Sequence, residues 1–325
     1  MAHMIDESNG RANIAFVGKT PWHGLGQELD EKDDLDTWRV AAGLDFTYQP
    51  VDVQYRHPVT GLTVPFENRK VLARSDTGMG MSIVSGNKYK IVQPGEILEF
   101  YRDLINAGGF HMHTAGSLKD GKVVWALARI GDDARIMGQD QIKGYLLLAS
   151  SCDGLMATRG KFTSVRVVCN NTLQLADSQS GGVRVPHNRI FDADAVRTEL
   201  GVGHQMFTEF ADKAENFAKR RVADKEAVEY IARVMSGLDE VPEDLNELKN
   251  AKNIATVVEL FKGKAMGATL KSSKSTLWGA LNAVTEYCDH HAGRGADSRL
   301  SSSWFGQNRL IKDRAVKLAD QLVAA

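Results

Sequence analysis

The feature that most constrains this chain is a change of hydrophobic period near residue 190. Upstream, apolar and polar residues alternate in short runs. "FTYQPVDVQYR", "LTVPFENRKVLARS", "GMSIVSGNKYKIV", "FHMHTAGSL", "KVVWALARI" and "IKGYLLLASSCDG" read as strands separated by Gly, Asn and Pro turns. "HPVTG" at 57–61 is a hairpin connection, and "LMATRGKFT" is a candidate for a further strand. A helix interrupts them at "QPGEILEFYRDLINAGG", with Pro94 at its start, apolar positions at 97, 98, 101, 104 and 105, and Gly108 and Gly109 at its end. Downstream the strand signals vanish. "VRTELGVGHQMFTEFADKAENFAKRRVADKEAVEYIARVMSG", "TLWGALNAVTEYCDHHAG" and "IKDRAVKLADQLVAA" carry helical spacing.

Strands in runs, rather than in strict alternation with helices, predict an α+β fold. Its sheet is expected to be predominantly antiparallel, spanning 46–165, with helices packed against it and a helical C-terminal region after it. Residues 1–34 read as an irregular lead, broken by Pro21, Gly24 and Gly26; 35–200 as the α+β core domain; 201–325 as the helical region. The 325 residues are 43% hydrophobic and 25% charged, enough to bury a core. A net charge of −1 gives no global attraction to nucleic acid, so any such role needs a local basic patch. Cys152, Cys169 and Cys288 are too few and too scattered for a disulfide framework. With no signal peptide and no membrane span legible, the expected place is the cytoplasm of a bacterial host cell.

Most motifs dissolve on inspection. "GKT" at 18–20 lacks the glycine of a phosphate loop, since position 13 is Asn. "HMH" at 111–113 puts two histidines on one strand face without a third ligand nearby, so no metal and no cofactor are expected. Asp153 in "SSCDG" stands where active-site acids occur, and also where turn-forming aspartates do.

Two basic concentrations remain. Between 159 and 189 the only acid is Asp177, against Arg159, Lys161, Arg166, Arg184, His187 and Arg189. Read as a helix, 164–176 sets Val165, Val168 and Cys169 on a core face, with Arg166 and Asn170 on another side beside Asn171. Arginine and asparagine donate well to phosphates and base edges. The second concentration is Lys262, Lys264, Lys271 and Lys274 within 260–285. There "GATLKSSKST" reads as a flexible, phosphate-friendly linker, followed by a helix carrying Trp278 and Asn282 for stacking and reading a base. A core tryptophan is the other reading of position 278.

"PWHGLG" at 21–26, "SSCDG" at 150–154, "RVVCNNTL" at 166–173 and "TLWGALNAVTEYCDHH" at 276–291 together resemble the phage- and plasmid-related family called domain of unknown function 932, over about 14–320. The family pattern often has histidine before the "DG", where this chain has Cys152. The resemblance implies a phage or plasmid setting and no stated activity. The element order is loosely similar to single-strand annealing proteins, an analogy of fold alone. The resulting expectation is a non-enzymatic, homo-oligomeric single-stranded DNA-binding or annealing protein in recombination or replication. Its contacts would come from Arg159, Lys161, Arg166, Asn170, Asn171, Arg184, Arg189, Lys271, Lys274, Trp278 and Asn282. The alternatives are a nucleotide- or nucleic-acid-processing enzyme using Asp153 with Cys152 and a histidine, and a host-interaction protein that binds no nucleic acid.

Overall fold

The computed structural model describes residues 5–18, 25–106, 109–166, 171–174, 183–192, 203–293, 299, 302–303 and 306–324. It is α+β with mostly antiparallel pairing. Strands run β1 (Ile14–Val17), β2 (Gln27–Leu29), β3 (Tyr48–Arg56), β4 (Thr63–Arg74), β5 (Gly80–Ser85), β6 (Phe110–Leu118), β7 (Val123–Ile136), β8 (Asp140–Ser151), β9 (Thr158–Arg166), β10 (Asn171–Gln174) and β11 (Val183–Val185). Helices are α1 (Leu35–Ala41), α2 (Pro94–Asn106), α3 (Gly203–Lys219), α4 (Asp224–Ser236), α5 (Ala251–Glu259), α6 (Leu277–Glu286) and α7 (Gln307–Ala324).

The strands form two sheets rather than the single one expected. The larger has the order β10–β9–β8–β7–β6–β1–β2, with β11 also pairing on β9; the smaller is β3–β4–β5. Residues 1–34 are not an irregular lead. Ile14–Val17 is buried sheet, antiparallel to β6 and parallel to β2. Four residues of strand between glycine-rich segments are too short a run to show a period.

The chain divides into two compact units, each made of several segments: 1–129, 146–161 and 182–201 in one, 130–145, 162–181 and 202–325 in the other. This interleaving replaces the single boundary expected near 200, because long β7, β8 and β9 each contribute residues to both units.

In the first unit α1 and α2 bury Trp38, Ile97, Leu98, Phe100 and Tyr101. The Tyr101 hydroxyl lies 2.9 Å from Ala126 O and 3.0 Å from Leu146 O, so even this polar tip is satisfied at depth. A buried ionic knot holds the N-terminal segment. Arg74 donates to Asp6 Oδ2 at 2.6 Å and, through Nε and Nη2, to Asp76 at 2.9 and 2.7 Å, with its guanidinium 3.8 Å from the Phe46 ring centroid. Gly121 is required there. Its φ is +87°, and a Cβ would meet Arg74 Nη1 at 2.6 Å.

In the second unit α6 is buried on every side, as its run "LWGALNAV" dictates. Thr276 caps it, accepting from Gly279 N. A Cβ at Gly279 would stand 1.9 Å from Ser273 O, so only glycine lets 270–276 lie against the helix. "GATLKSSKST" is accordingly not a flexible linker: Ser272 and Ser273 are buried, and Ser272 Oγ donates to Asp140 at 2.8 Å. Among the described residues no helix is long and apolar enough to cross a membrane.

Candidate nucleic-acid interface

In the first unit β9 and β11 run antiparallel with Thr158 opposite Val185, Arg159 opposite Arg184 and Gly160 opposite Val183. Alternation then does the sorting. Thr158, Gly160 and Val183 are buried, so the core takes one face, and Arg159 and Arg184 share the other with Lys161 two residues along. Arg184 is exposed, while Arg159 and Lys161 are half-buried, with Arg159 Nε itself buried. Arg189 is exposed just beyond, in a turn closed by its N–H on Pro186 O at 3.0 Å. The face is a cationic strip with two arginines directly opposed.

The strip starts from the turn "SSCDG". Asp153 Oδ1 accepts from Ser151 Oγ at 2.7 Å and from Leu155 N at 3.0 Å, a turn-forming aspartate. Cys152 is buried, and burial pushes its thiol up to about 11, which keeps it protonated near neutrality. Neither residue is arranged as the attacking group of an enzyme. Ser82 Oγ donates to Cys152 O at 2.7 Å and Tyr89 Oη to Ser151 O at 3.1 Å. His187 stacks on Tyr89 with ring centroids 4.6 Å apart, and its Nδ1 and Nε2 each lie 3.1 Å from a carbonyl oxygen, those of Lys90 and Met156. One imidazole thus joins the segment after β5 to the β8–β9 turn.

The other residues singled out in the sequence fall differently. Within 164–176 the described residues, 164–166 and 171–174, are strand and not helix: β9 and β10 form an antiparallel pair with Arg166 opposite Asn171 and Val165 opposite Thr172. Val165 and Thr172 are β-branched, which suits such a pair. Asn170, with Cys169, lies outside the described residues. Lys271 and Lys274 are exposed, flanking buried Ser272 and Ser273. Trp278 is not a stacking surface. It is 2% exposed, and its indole N–H donates to Asp140 Oδ2 at 2.9 Å. Asn282 is buried too, donating to Trp278 O at 2.8 Å within the same helix. Both are core groups whose polar atoms are used internally. Among the described residues no group of three His, Cys, Asp or Glu could hold a metal.

These features define an α+β protein with a cationic β-ribbon. The sequence model of the family described as Domain of unknown function (DUF932) matches residues 81–323, and the chain belongs to that family. The "SSCDG", "RVVCNNTL" and "TLWGALNAVTEYCDHH" motifs fall inside the match, and "PWHGLG" lies before it. No curated protein and no solved structure matches the chain.

Proposed function

We propose that this protein binds single-stranded DNA through its phosphates along the β9–β11 strip, as a non-enzymatic, phage- or plasmid-encoded factor in recombination or replication. The observation that carries the reading is the opposition of Arg159 and Arg184, with Lys161 on the same face. Phosphate oxygens, spaced along a strand, take charge-assisted hydrogen bonds from guanidinium forks. A net charge of −1 does not oppose this, because counterion release depends on the local cations that meet the backbone. Arg189 extends the strip. Arg166, Asn171, Lys271 and Lys274 in the second unit are further candidates for backbone contact. Annealing requires two strands held together, and a homo-oligomer is the arrangement we expect to supply it.

The test is fluorescence anisotropy of a labelled single strand at several salt concentrations, comparing the wild type with Arg159→Ala/Lys161→Ala/Arg184→Ala. The triple variant should bind more weakly and with a flatter salt dependence. Equal affinity and equal slope in a folded triple variant refute the assignment.

A further inference from the structure

Beyond a bulge between Asp52 and Gln54, β3 and β4 leave the small sheet and continue as a two-stranded arm. Strand β5 pairs with β4 only over Arg69–Ala73, so β5 does not flank the arm. Its tip is ordered. His57 Nδ1 accepts from Val59 N and Thr60 N at 3.2 and 3.3 Å, Arg56 Nε donates to Gly61 O at 3.1 Å, and Gly61 takes φ +69°. Tyr55 stands opposite Val64, and Phe66 follows Val64 by two residues on the same face. The two rings meet edge to face with centroids 6.3 Å apart. Tyr55 is 44% exposed and Phe66 50%.

Among the described residues every other aromatic side chain is buried or half-buried, so the two exposed rings occur together on one arm. In an edge-to-face pair the ring that presents its edge uses neither of its own faces in the contact. Exposed Arg56 stands on the arm and exposed Arg69 at its base, where β4 meets β5, and Lys70 is paired with Asp52. Its sheet is pinned to the root of the cationic strip by the Ser82 and Tyr89 bonds to the "SSCDG" turn and by His187, all within one unit.

We infer that Tyr55 and Phe66 are a base-stacking platform for the same single-stranded DNA whose phosphates the β9–β11 strip holds. The inference rests on the reading of that strip. It supplies what buried Trp278 does not: an aromatic surface within reach of solvent that accepts any base by its π-face. Valine and leucine at the tip, Val59 and Leu62, make a second copy of this chain the competing occupant, and the experiment separates the two.

The probes are a labelled oligothymidylate and an abasic oligomer with the same number of phosphates. The proteins are the wild type, Tyr55→Ser/Phe66→Ser, Tyr55→Trp/Phe66→Trp and the strip variant Arg159→Ala/Lys161→Ala/Arg184→Ala. The serine variant should lose about tenfold or more in affinity for oligothymidylate. It should bind the abasic oligomer as the wild type does, with an unchanged salt slope, and the tryptophan variant should restore thymidine binding. Wild-type affinity of the serine variant for oligothymidylate overturns the inference, as does an equal loss on both oligomers. A change of mass by light scattering with DNA affinity unaltered overturns it in favour of the second copy. If the wild type binds neither oligomer, the strip reading fails and this one with it; a loss confined to the serine variant on thymidine leaves this one standing when the strip variant binds normally.

Discussion

Arg159 and Arg184 stand directly opposite each other on neighbouring antiparallel strands. Arg184→Glu replaces one cation of that face by an anion and should lower affinity for a single strand while the protein stays folded. Anisotropy and thermal unfolding on the same preparation check this. A folded variant that keeps its affinity shows that the pair meets no phosphate.

The triple change at Arg159, Lys161 and Arg184 should flatten the dependence of log affinity on log salt by roughly 0.7 for each phosphate that the variant no longer neutralises. Binding isotherms across a salt series give the slope directly.

The Arg74 knot fixes an acid limit to stability. Burial pushes the Asp6 carboxyl up, but hydrogen bonds from Ser8, Arg74 and Asn13 outweigh it and hold the group below its ordinary value. Asp76 is held low chiefly by its hydrogen bond from Arg74. Groups depressed in the folded state contribute stability that is fully present above their unfolded pKa, about 3.9, and lost as pH falls through the folded one. The unfolding midpoint should thus stay level from neutrality down to about pH 5 and drop below about pH 4. Arg74→Leu strands a buried carboxylate and should cost about 3–5 kcal/mol near neutrality, with a smaller further loss in acid, because the hydrogen bonds that depress Asp6 and Asp76 are gone. A pH series of denaturant melts reads both effects.

Burial pushes the thiols of Cys152 and Cys288 up to about 11 and about 12. Neither should react with an alkylating reagent in the native protein near neutrality, and both should react in denaturant. Peptide mapping of the labelled sites is the measurement, and fast native labelling of Cys152 would revive the enzyme reading.

Trp278→Phe keeps a ring in the core and removes the N–H that Asp140 accepts, so it should cost about 1–3 kcal/mol. Single-strand affinity should be unchanged in the folded protein. A drop in affinity with stability intact would return Trp278 to the binding surface.

What could be read from residues alone follows from how local the determinants are. The α+β class, helix α2 and the helical C-terminal region rest on periods and stop signals spread over many residues, and those survive packing. The described part of 164–176 does not follow the helical spacing. Val165 opens a run that fits a period of 3.6, yet it lies in a strand paired with Asn171–Gln174. Which period wins is decided by the adjacent strands. Trp278 and Asn282 resemble a reading face because lysines surround them. Their burial depends on Asp140, far away in the chain, and no spacing rule announces that bond. The exposed rings of Tyr55 and Phe66 are hidden for the opposite reason. Alternation marks a strand pair with one apolar face, but the bulge and the short β5 are what leave that face uncovered.

The interleaved course of the chain has a practical corollary for anyone wishing to dissect it. A stop codon near residue 200 would discard the helices and keep 130–145 and 162–181, segments that belong to the same compact unit as those helices. Asp140 would then be deprived of both its tryptophan and its serine donors. Neither fragment should be recoverable as a folded species, and limited proteolysis should yield nicked chains that stay associated rather than a stable half. Recombination between relatives meets the same restriction: a single crossover cannot exchange either unit intact.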